Sequence, residues 1–214
     1  MNKKNENMRN TLNTRNKIIS AAMKEFSLNG LKGSRVENIT KRANVNKAML
    51  FYYFGSKQKL YEIIIQKTVG SLLKTIGEII HPELTIEEFI EEFPSLYIDH
   101  FSKNKSVINM LAIDIIQNPN YISNLIGTVF RDNFNMDSSI SPFERLIKKW
   151  SEEDKITEKN PVHFMLNIMS LIIFPFIMKP IPEAVFNKKI DDSKEYYEHR
   201  KESIKNLLKR GLLK

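Results

Sequence analysis

Two short apolar helices separated by a three-residue turn limit the fold of this chain more narrowly than any other feature of the sequence. They lie within residues 30–60, GLKGSRVENITKRANVNKAMLFYYFGSKQKL, and the turn falls at residues 43–45. Apolar side chains at spacings of three and four give each helix a face that can pack on the other. Asn44 stands where such a turn needs a left-handed residue, and Asn tolerates that conformation better than most residues. The pattern predicts a helix-turn-helix.

Capping residues divide the rest of the chain into helices. Helix 1 is predicted over residues 14–28, after a polar tail at residues 1–10, and Asn29-Gly30 ends it. Ser34 and Glu37 form a capping box in the prediction, and further helices begin at seven other cap signals. These signals are Asn46, Ser56, Thr85, Asn104, the pair Asn118-Pro119, Ser141 and the pair Asn160-Pro161, and Asp192-Ser193 opens the last helix.

The chain therefore reads as all-α, with nine or ten helices. We expect an N-terminal three-helix DNA-binding domain at residues 1–60, joined by a long helix to a second helical domain at residues 61–214. No flexible linker separates the two parts.

Charge is concentrated in the first of these parts. Residues 1–60 hold 13 Lys and Arg against 3 acidic residues, a net of +10, whereas the whole chain carries +8. The other 154 residues are therefore slightly acidic. A basic domain beside a near-neutral one indicates an anionic partner, and phosphate is the usual candidate.

The second helix of the motif offers polar and small side chains near its start. In a helix-turn-helix these positions reach base edges, so Lys47, Ala48 and Met49 are candidates for base contacts. Leu50 and Phe54 are predicted to be buried, together with Phe51. Tyr52 and Tyr53 cannot both be buried beside them. Candidate phosphate ligands are Ser34, Arg35, Lys47, Tyr53 and Lys57.

At these residues the sequence resembles the TetR (tetracycline-repressor-like) family of bacterial regulators over about residues 12–62. The positions in register with that family are Gly30, Ser34, Ile39, Ala43, Val45, Lys47, Leu50, Tyr53, Phe54, Ser56, Lys57 and Leu60. The resemblance implies base contacts from Lys47, Ala48, Met49 and Tyr52, and phosphate contacts from Ser34, Arg35, Tyr53 and Lys57. Phe51 departs from the pattern because a tyrosine hydroxyl is lost there.

The most apolar predicted helix, residues 161–178, raises the question of a membrane span. Its continuous apolar run, residues 165–178, has only 14 residues and includes Asn167 and Pro175, so we expect no membrane partner. The resemblance instead implies that the last two helices pair with those of a second copy. The candidate interface residues are Phe174, Ile177, Tyr197, Ile204, Leu207 and Leu208. A homodimer would double the base contacts of one motif on a palindromic site.

Methionine and aromatic residues in the middle helices can line an adaptable ligand pocket or form ordinary core. They are Met110, Phe130, Phe134, Trp150, Phe164, Met165 and Met169. The resemblance implies a small-molecule effector here, whose identity the sequence does not reveal. It thus implies that residues 61–214 are a helical effector-binding and dimerisation domain. Neither a cofactor nor a metal is expected.

An enzyme is disfavoured because the four histidines are scattered and no nucleophile motif or glycine-rich phosphate loop is present. Cysteine is absent, which fits a reducing cytoplasm. The sequence therefore favours a cytoplasmic repressor, a homodimer that an apolar or amphipathic ligand releases from double-stranded operator DNA. One alternative is a DNA-binding dimer without an effector. Another is an enzyme or transporter-associated helical protein whose basic N-terminus is incidental.

Overall fold

The computed structural model describes residues 3–134 and 141–214, and their regular structure is α-helical. The predicted all-α class is thereby confirmed. The helices in these ranges are α1 (Lys3–Gly33), α2 (Val36–Ala43), α3 (Lys47–Phe54), α4 (Lys57–Ile79), α5 (Ile86–Lys103), α6 (Lys105–Gln117), α7 (Pro119–Phe134), α8 (Pro142–Glu152), α9 (Pro161–Met178), α10 (Pro180–Phe186) and α11 (Lys194–Leu212). Outside them, one isolated antiparallel bridge pairs Ile156 with Leu213.

Two helices differ from the sequence-based expectation. The helix α1 begins at Lys3, so the backbone of residues 3–10 belongs to it and does not form the expected tail. No Gly or Pro interrupts residues 1–29, and several of them are good helix formers. The short helix α10 was missed because Pro180 and Pro182 read as breakers, although the first turn of a helix tolerates proline.

The chain packs as two compact units. The first contains the chain up to Val69 together with Ser106–Thr128, and the second contains Gly70–Lys105 and Val129–Lys214. This division differs from the predicted boundary between residues 60 and 61. Residues 61–69 of α4 and residues 106–128 pack into the core of the helix-turn-helix and therefore belong to the first unit. The predicted domains stay a prediction about function.

The first unit is built around one apolar core. Phe26 of α1 and Tyr61 of α4 meet edge to face with ring centroids 5.1 Å apart, and neither ring is exposed. The other fully buried members of this core are Ile18, Ala22, Ile39, Leu50, Leu60, Ile65 and Met110. Met110 was a candidate pocket residue, and its burial here places it in the first unit's core.

A glycine in an unusual conformation lies where α1 gives way to α2. Gly30 has φ 65° and ψ −175°, a region that is almost confined to glycine. A β-carbon at this position would lie 2.7 Å from Cγ2 of Ile113 on α6. The next residue, Leu31, donates its backbone N–H to the carboxylate of the fully buried Asp114, at 3.1 and 3.2 Å. The predicted stop at Asn29-Gly30 is thus a bend held by α6.

Most of the predicted caps are confirmed. The Thr85 hydroxyl and the Glu88 side chain form both bonds of a capping box, and Ser141 accepts the backbone N–H of Glu144 at 3.1 Å. The side chains of Asn46, Asn160 and Ser193 also accept N–H groups of their helices. The capping box predicted at Ser34 was wrong. Arg35 occupies the N-cap position of α2, and its side chain makes no capping hydrogen bond.

Aromatic side chains fill the core of the second unit. Phe89 lies 5.3 Å from Trp150 and 6.1 Å from Phe164 between ring centroids, and all three are at most 1% exposed. The indole N–H of Trp150 donates to the carbonyl oxygen of Leu84 at 3.1 Å. Trp150 and Phe164, both candidate pocket residues, therefore belong to the packed core.

The remaining pocket candidates lie apart from that core. Phe130 and Phe134 are half-buried and contact each other and Phe143, with centroids 4.6–6.1 Å apart. Met165 and Met169 line a cleft of about 390 Å³ at the surface between α8 and α9. Only these two of the seven predicted residues border the cleft.

The helix α9 is long and apolar enough to cross a membrane by length and composition, and only 17% of it is buried inside the described protein. Its exposed side chains include Phe174 and Ile177, at 56% and 43% exposure, and α11 adds Leu207 at 51%. These are three of the six candidate dimer residues. Tyr197, Ile204 and Leu208 are buried within the subunit and have little surface left for a partner.

Lysines along one side of α11 pair with acidic side chains of α5. Lys201, with 8% of its side chain exposed, lies 2.6 Å from a carboxylate oxygen of Asp99, and its partner on α11 is Glu198. Lys205 lies 3.1 Å from a carboxylate oxygen of Glu91, and Lys209 pairs with the same carboxylate. The charged rows accompany an apolar contact between α5 and α11.

Candidate nucleic-acid interface

The turn between α2 and α3 has the geometry that the sequence predicts. Asn44 is left-handed, with φ 53° and ψ 50°, and its N–H bonds back to the last turn of α2. Val45 then donates its N–H to the carbonyl of Thr40 at 3.0 Å. The side chain of Asn46 accepts the N–H of Met49 at 2.9 Å and starts α3. The two helices are thus joined by three residues, and the N–H groups of the first two, Asn44 and Val45, bond to the last turn of α2.

The helix α3 buries one face and exposes another. Leu50 and Phe54 are buried as predicted, at 0% and 4% exposure. Phe51 was predicted to be buried and is 45% exposed, because it projects away from the Leu50 and Phe54 side. Lys47, Ala48 and Tyr52 are exposed, and Tyr52 is 83% exposed. Candidate base-contacting residues therefore share the open face.

Tyr53 and Met49 occupy the margin of this face. Both are half-buried, and the Tyr53 ring meets that of Tyr52 edge to face at a centroid distance of 5.2 Å. The guanidinium of Arg15, from α1, lies 5.4 Å from the centre of the Phe54 ring on the other side of the helix. The exposed Tyr52 ring therefore packs on the Tyr53 ring, which itself packs against the core.

The candidate phosphate ligands are placed less uniformly. Arg35 is exposed at the cap position of α2, which suits a phosphate contact. Ser34 is only 4% exposed and donates its hydroxyl to the carbonyl of Leu31 at 2.9 Å. That bond argues against the predicted phosphate contact at Ser34. The half-buried Lys57 donates its ammonium to the carbonyl of Ser34 at 2.7 Å, so it also fastens α4 to the start of α2.

Sequence reasoning missed a residue of α1 that binds the start of α2. Glu25 of α1 is only 3% exposed, and its carboxylate accepts the backbone N–H of Arg35 at 3.3 Å and the side-chain amide of Asn38 at 2.9 Å. A carboxylate at the positive end of a helix is favourable. The available signal was an acidic residue directly before Phe26, on the apolar side of helix 1.

A second acidic residue lies on the open face itself. The ammonium of Lys47 pairs with the carboxylate of Glu37 in the first turn of α2, with the two atoms 2.5 Å apart. This hydrogen bond from Lys47 lowers the pKa of Glu37 below its ordinary value, so the carboxylate is ionised at neutral pH. The signal in the sequence was that residues 1–60 hold only 3 acidic residues.

The helix-turn-helix part of the chain matches a known protein family. Residues 18–64, which include α2 and α3, match a family described as "Bacterial regulatory proteins, tetR family". Over 101 residues the chain is 30% identical to the HTH-type transcriptional repressor NicS of Pseudomonas putida, a match that spans 47% of this chain and 48% of NicS.

Two further proteins are similar over most of their length. The HTH-type transcriptional regulator RutR of Escherichia coli O157:H7 is 25% identical over 199 residues, which cover 91% of this chain and 88% of RutR. A transcriptional regulator from Aquifex aeolicus VF5 superposes with a TM-score of 0.59 at 21% identity, and the match covers 92% of this chain and 98% of that one. The structural match shows a shared fold.

Proposed function

Because this chain belongs to the tetR family of bacterial regulatory proteins, we propose that it is a repressor that binds a palindromic operator as a homodimer and leaves it when a small ligand binds. Family membership makes the chain a DNA-binding transcription regulator rather than an enzyme. The proposal adds the operator symmetry, the sign of regulation, the effector and a cytoplasmic location.

The observation that carries the proposal is the open face of α3 within the basic part of the chain. Lys47, Ala48 and Tyr52 are exposed at the start and middle of this helix, where a helix-turn-helix presents its side chains to base edges. Residues 1–60 have a net charge of +10, which favours binding to phosphates. Repression is favoured by the similarity to NicS, a transcriptional repressor.

We expect Tyr52→Ala and Lys47→Ala each to weaken binding to the preferred DNA sequence by roughly 5- to 150-fold per half-site. A specific base contact contributes about 1–3 kcal/mol, and Tyr52 is too exposed for its loss to unfold the protein. The sequence is first selected from a random duplex library by the wild-type protein, and affinities are then measured by fluorescence anisotropy at fixed salt. Lys74→Ala, on an exposed part of α4, removes the same charge elsewhere and should leave affinity within about twofold.

The result that would overturn the function is a wild-type protein that enriches no sequence from the library. Charge alone would then account for its DNA binding. Equal affinities for wild type, Tyr52→Ala and Lys47→Ala would leave a regulator whose reading face lies elsewhere.

The homodimer is supported by the apolar side chains that α9 and α11 leave exposed. Phe174, Ile177 and Leu207 are each more than 40% exposed, which is unfavourable in water unless another surface covers them. The two half-sites of the operator would be centred about 34–36 Å apart or a multiple of it. A second copy is the partner that this operator symmetry requires.

Phe174→Glu and Leu207→Glu are expected to convert the dimer to a monomer, because each places a charge in an apolar interface. Sedimentation equilibrium measures the mass, and affinity for the palindrome should fall roughly 100-fold or more once the two reading helices are no longer linked. Ile116→Glu is the control, since it changes an apolar side chain that is 83% exposed on α6. A dimer that survives both substitutions would place the interface elsewhere.

The effector is proposed to occupy the cleft between α8 and α9. Its volume of about 390 Å³ suits a small ligand, and Met165 and Met169 give it an adaptable apolar lining. The distance between the two helix-turn-helix domains of the dimer must match the operator. A ligand that binds better to a dimer with another distance would shift the protein away from DNA. The packed positions of Trp150 and Phe164 favour the alternative, a dimer without an effector. Ligands that raise the melting temperature and release DNA would exclude that alternative.

A further inference from the structure

The ion pair between Glu37 and Lys47 places a carboxylate on the face that meets DNA. Their side chains are 59% and 56% exposed, so the pair is not part of the hydrophobic core. Lys47 is the first residue of α3, where side chains reach base edges, and Glu37 lies in the first turn of α2. The carboxylate of Glu37 is therefore hydrogen-bonded directly to Lys47, a residue in position to contact bases.

A carboxylate in this place is unfavourable for binding DNA in general. Residues 11–60 contain two acidic residues, of which Glu25 is buried and Glu37 is exposed. The charge of Glu37 repels phosphates and occupies the ammonium of Lys47, which would otherwise bind a phosphate. If Lys47 turned to a phosphate, Glu37 would be left unpaired beside the DNA. The pair thus penalises any site that does not satisfy both of its members.

One kind of base pair satisfies both. In the major groove guanine presents acceptors at O6 and N7, and its cytosine presents a donor at N4. O6 and N4 are themselves hydrogen-bonded to each other, so they lie about 2.9 Å apart. The donor and acceptor of the protein pair are 2.5 Å apart. An ammonium and a carboxylate at this separation match the groove edge of a G·C pair in one orientation.

We propose that Glu37 determines sequence specificity: with Lys47 it reads one G·C pair in each half-site. This proposal rests on the DNA-binding function above. Lys47 donates to O6 and N7 of the guanine, and Glu37 accepts from N4 of the cytosine. The reversed pair C·G and the pair A·T offer the opposite polarity and are rejected. T·A has the right polarity but puts a methyl group where guanine has N7, so it ranks second.

The experiment compares Glu37→Gln with the wild type in selection from a random-sequence duplex library. Gln keeps the size of the side chain, removes its charge and adds a competing donor. At one position per half-site the wild type should prefer G·C to C·G by roughly 5- to 150-fold, as a good base contact does. Glu37→Gln should lower this preference below about threefold and leave the other positions unchanged. Glu78→Gln, which removes a carboxylate from an exposed position on α4, should behave as the wild type.

A second measurement uses a duplex of scrambled sequence. Without the carboxylate, Lys47 becomes available to phosphates, so Glu37→Gln should bind this duplex about three- to tenfold more tightly. The dependence of affinity on salt should steepen by about one unit per subunit. In the double variant Glu37→Gln/Lys47→Gln, the losses should fall on the same base pair and should not add.

Three outcomes separate the possibilities. An unchanged preference in Glu37→Gln overturns the proposal and leaves the ion pair without a role in reading. A loss of preference at every position also overturns it, because Glu37 would then act through the fold. A wild-type protein without any sequence preference overturns the proposed function, and this is seen before any variant is made.

Discussion

Replacing Trp150 with alanine is expected to lower the free energy of unfolding by about 3–5 kcal/mol, the usual range for a large buried aromatic side chain. Trp150 is 1% exposed and packs between Phe89 and Phe164 in the core of the second unit. Its truncation would leave a cavity and an unpaired carbonyl at Leu84. Urea denaturation followed by circular dichroism measures the change.

The matched control is Trp150→Phe. It keeps an aromatic ring and loses the indole N–H, so the expected cost is smaller, about 1–3 kcal/mol. If Trp150→Ala were as stable as the wild type and altered the response to a ligand, the residue would be a pocket wall, as the sequence allowed. Because Trp150 is the only tryptophan, its fluorescence follows unfolding of the second unit in the wild type.

Replacing Gly30 with alanine is expected to destabilise the first unit by about 2–6 kcal/mol. Two costs combine: a side chain in a backbone region nearly confined to glycine costs about 1–3 kcal/mol, and forcing a methyl group into a packed core costs about 1–3 kcal/mol. The new methyl would lie 2.7 Å from Ile113 and 3.2 Å from the Asp114 carboxylate, which holds the N–H of Leu31. Amide hydrogen exchange in α1 and α2 should show the loss.

Gly33→Ala is the control for this change. The added β-carbon would lie 3.4 Å from that of Asn29, an ordinary contact across the bend. A change of no more than about 1 kcal/mol is expected. Equal stability of the two variants would mean that the bend at Gly30 relaxes without strain.

The parts of the fold that sequence reasoning predicted are those that depend on nearby residues. The left-handed Asn44 and the cap at Asn46 depend on hydrogen bonds to residues three or four positions away. The burial of Leu50 and Phe54 follows their four-residue spacing on one face of α3. The helix-turn-helix is therefore predictable as a unit. The caps of the later helices follow for the same reason, since a side chain and the N–H groups that it binds are only two or three residues apart.

The missed features depend on partners from elsewhere in the chain. Asp114 binds the N–H of Leu31 across 83 residues, and Glu25 replaces Ser34 as the acceptor at the start of α2. Met110 belongs to the core of the first unit because α6 packs there, although a methionine would suit a ligand pocket equally well. Spacing and residue type carry no information about which distant helix provides the contact.

The candidate site likewise has features that nearby residues determine and features that depend on packing between helices. The exposed positions of α3 could be predicted from the periodicity of a single helix, whereas the pairing of Glu37 with Lys47 depends on how α2 packs against α3. Burial of three candidate dimer residues on α11 likewise depends on α5 and on the rest of the second unit. Periodicity identifies an apolar face but does not tell which other helix covers it.

The lysines of α11 have a consequence for how that helix is aligned along α5. Apolar faces of two helices often fit in more than one register, since leucine and isoleucine side chains repeat at every turn. Lys201, Lys205 and Lys209 are four residues apart, so a slip of one turn, about 5.4 Å, has different results in the two directions. In one direction Lys205 and Lys209 would replace Lys201 and Lys205 beside the carboxylates of Asp99 and Glu91, whereas in the other direction Tyr197 would replace Lys201 beside Asp99. The charge order along α11 thus opposes slipping in one direction only, and it limits where Leu207 emerges on the surface of each subunit.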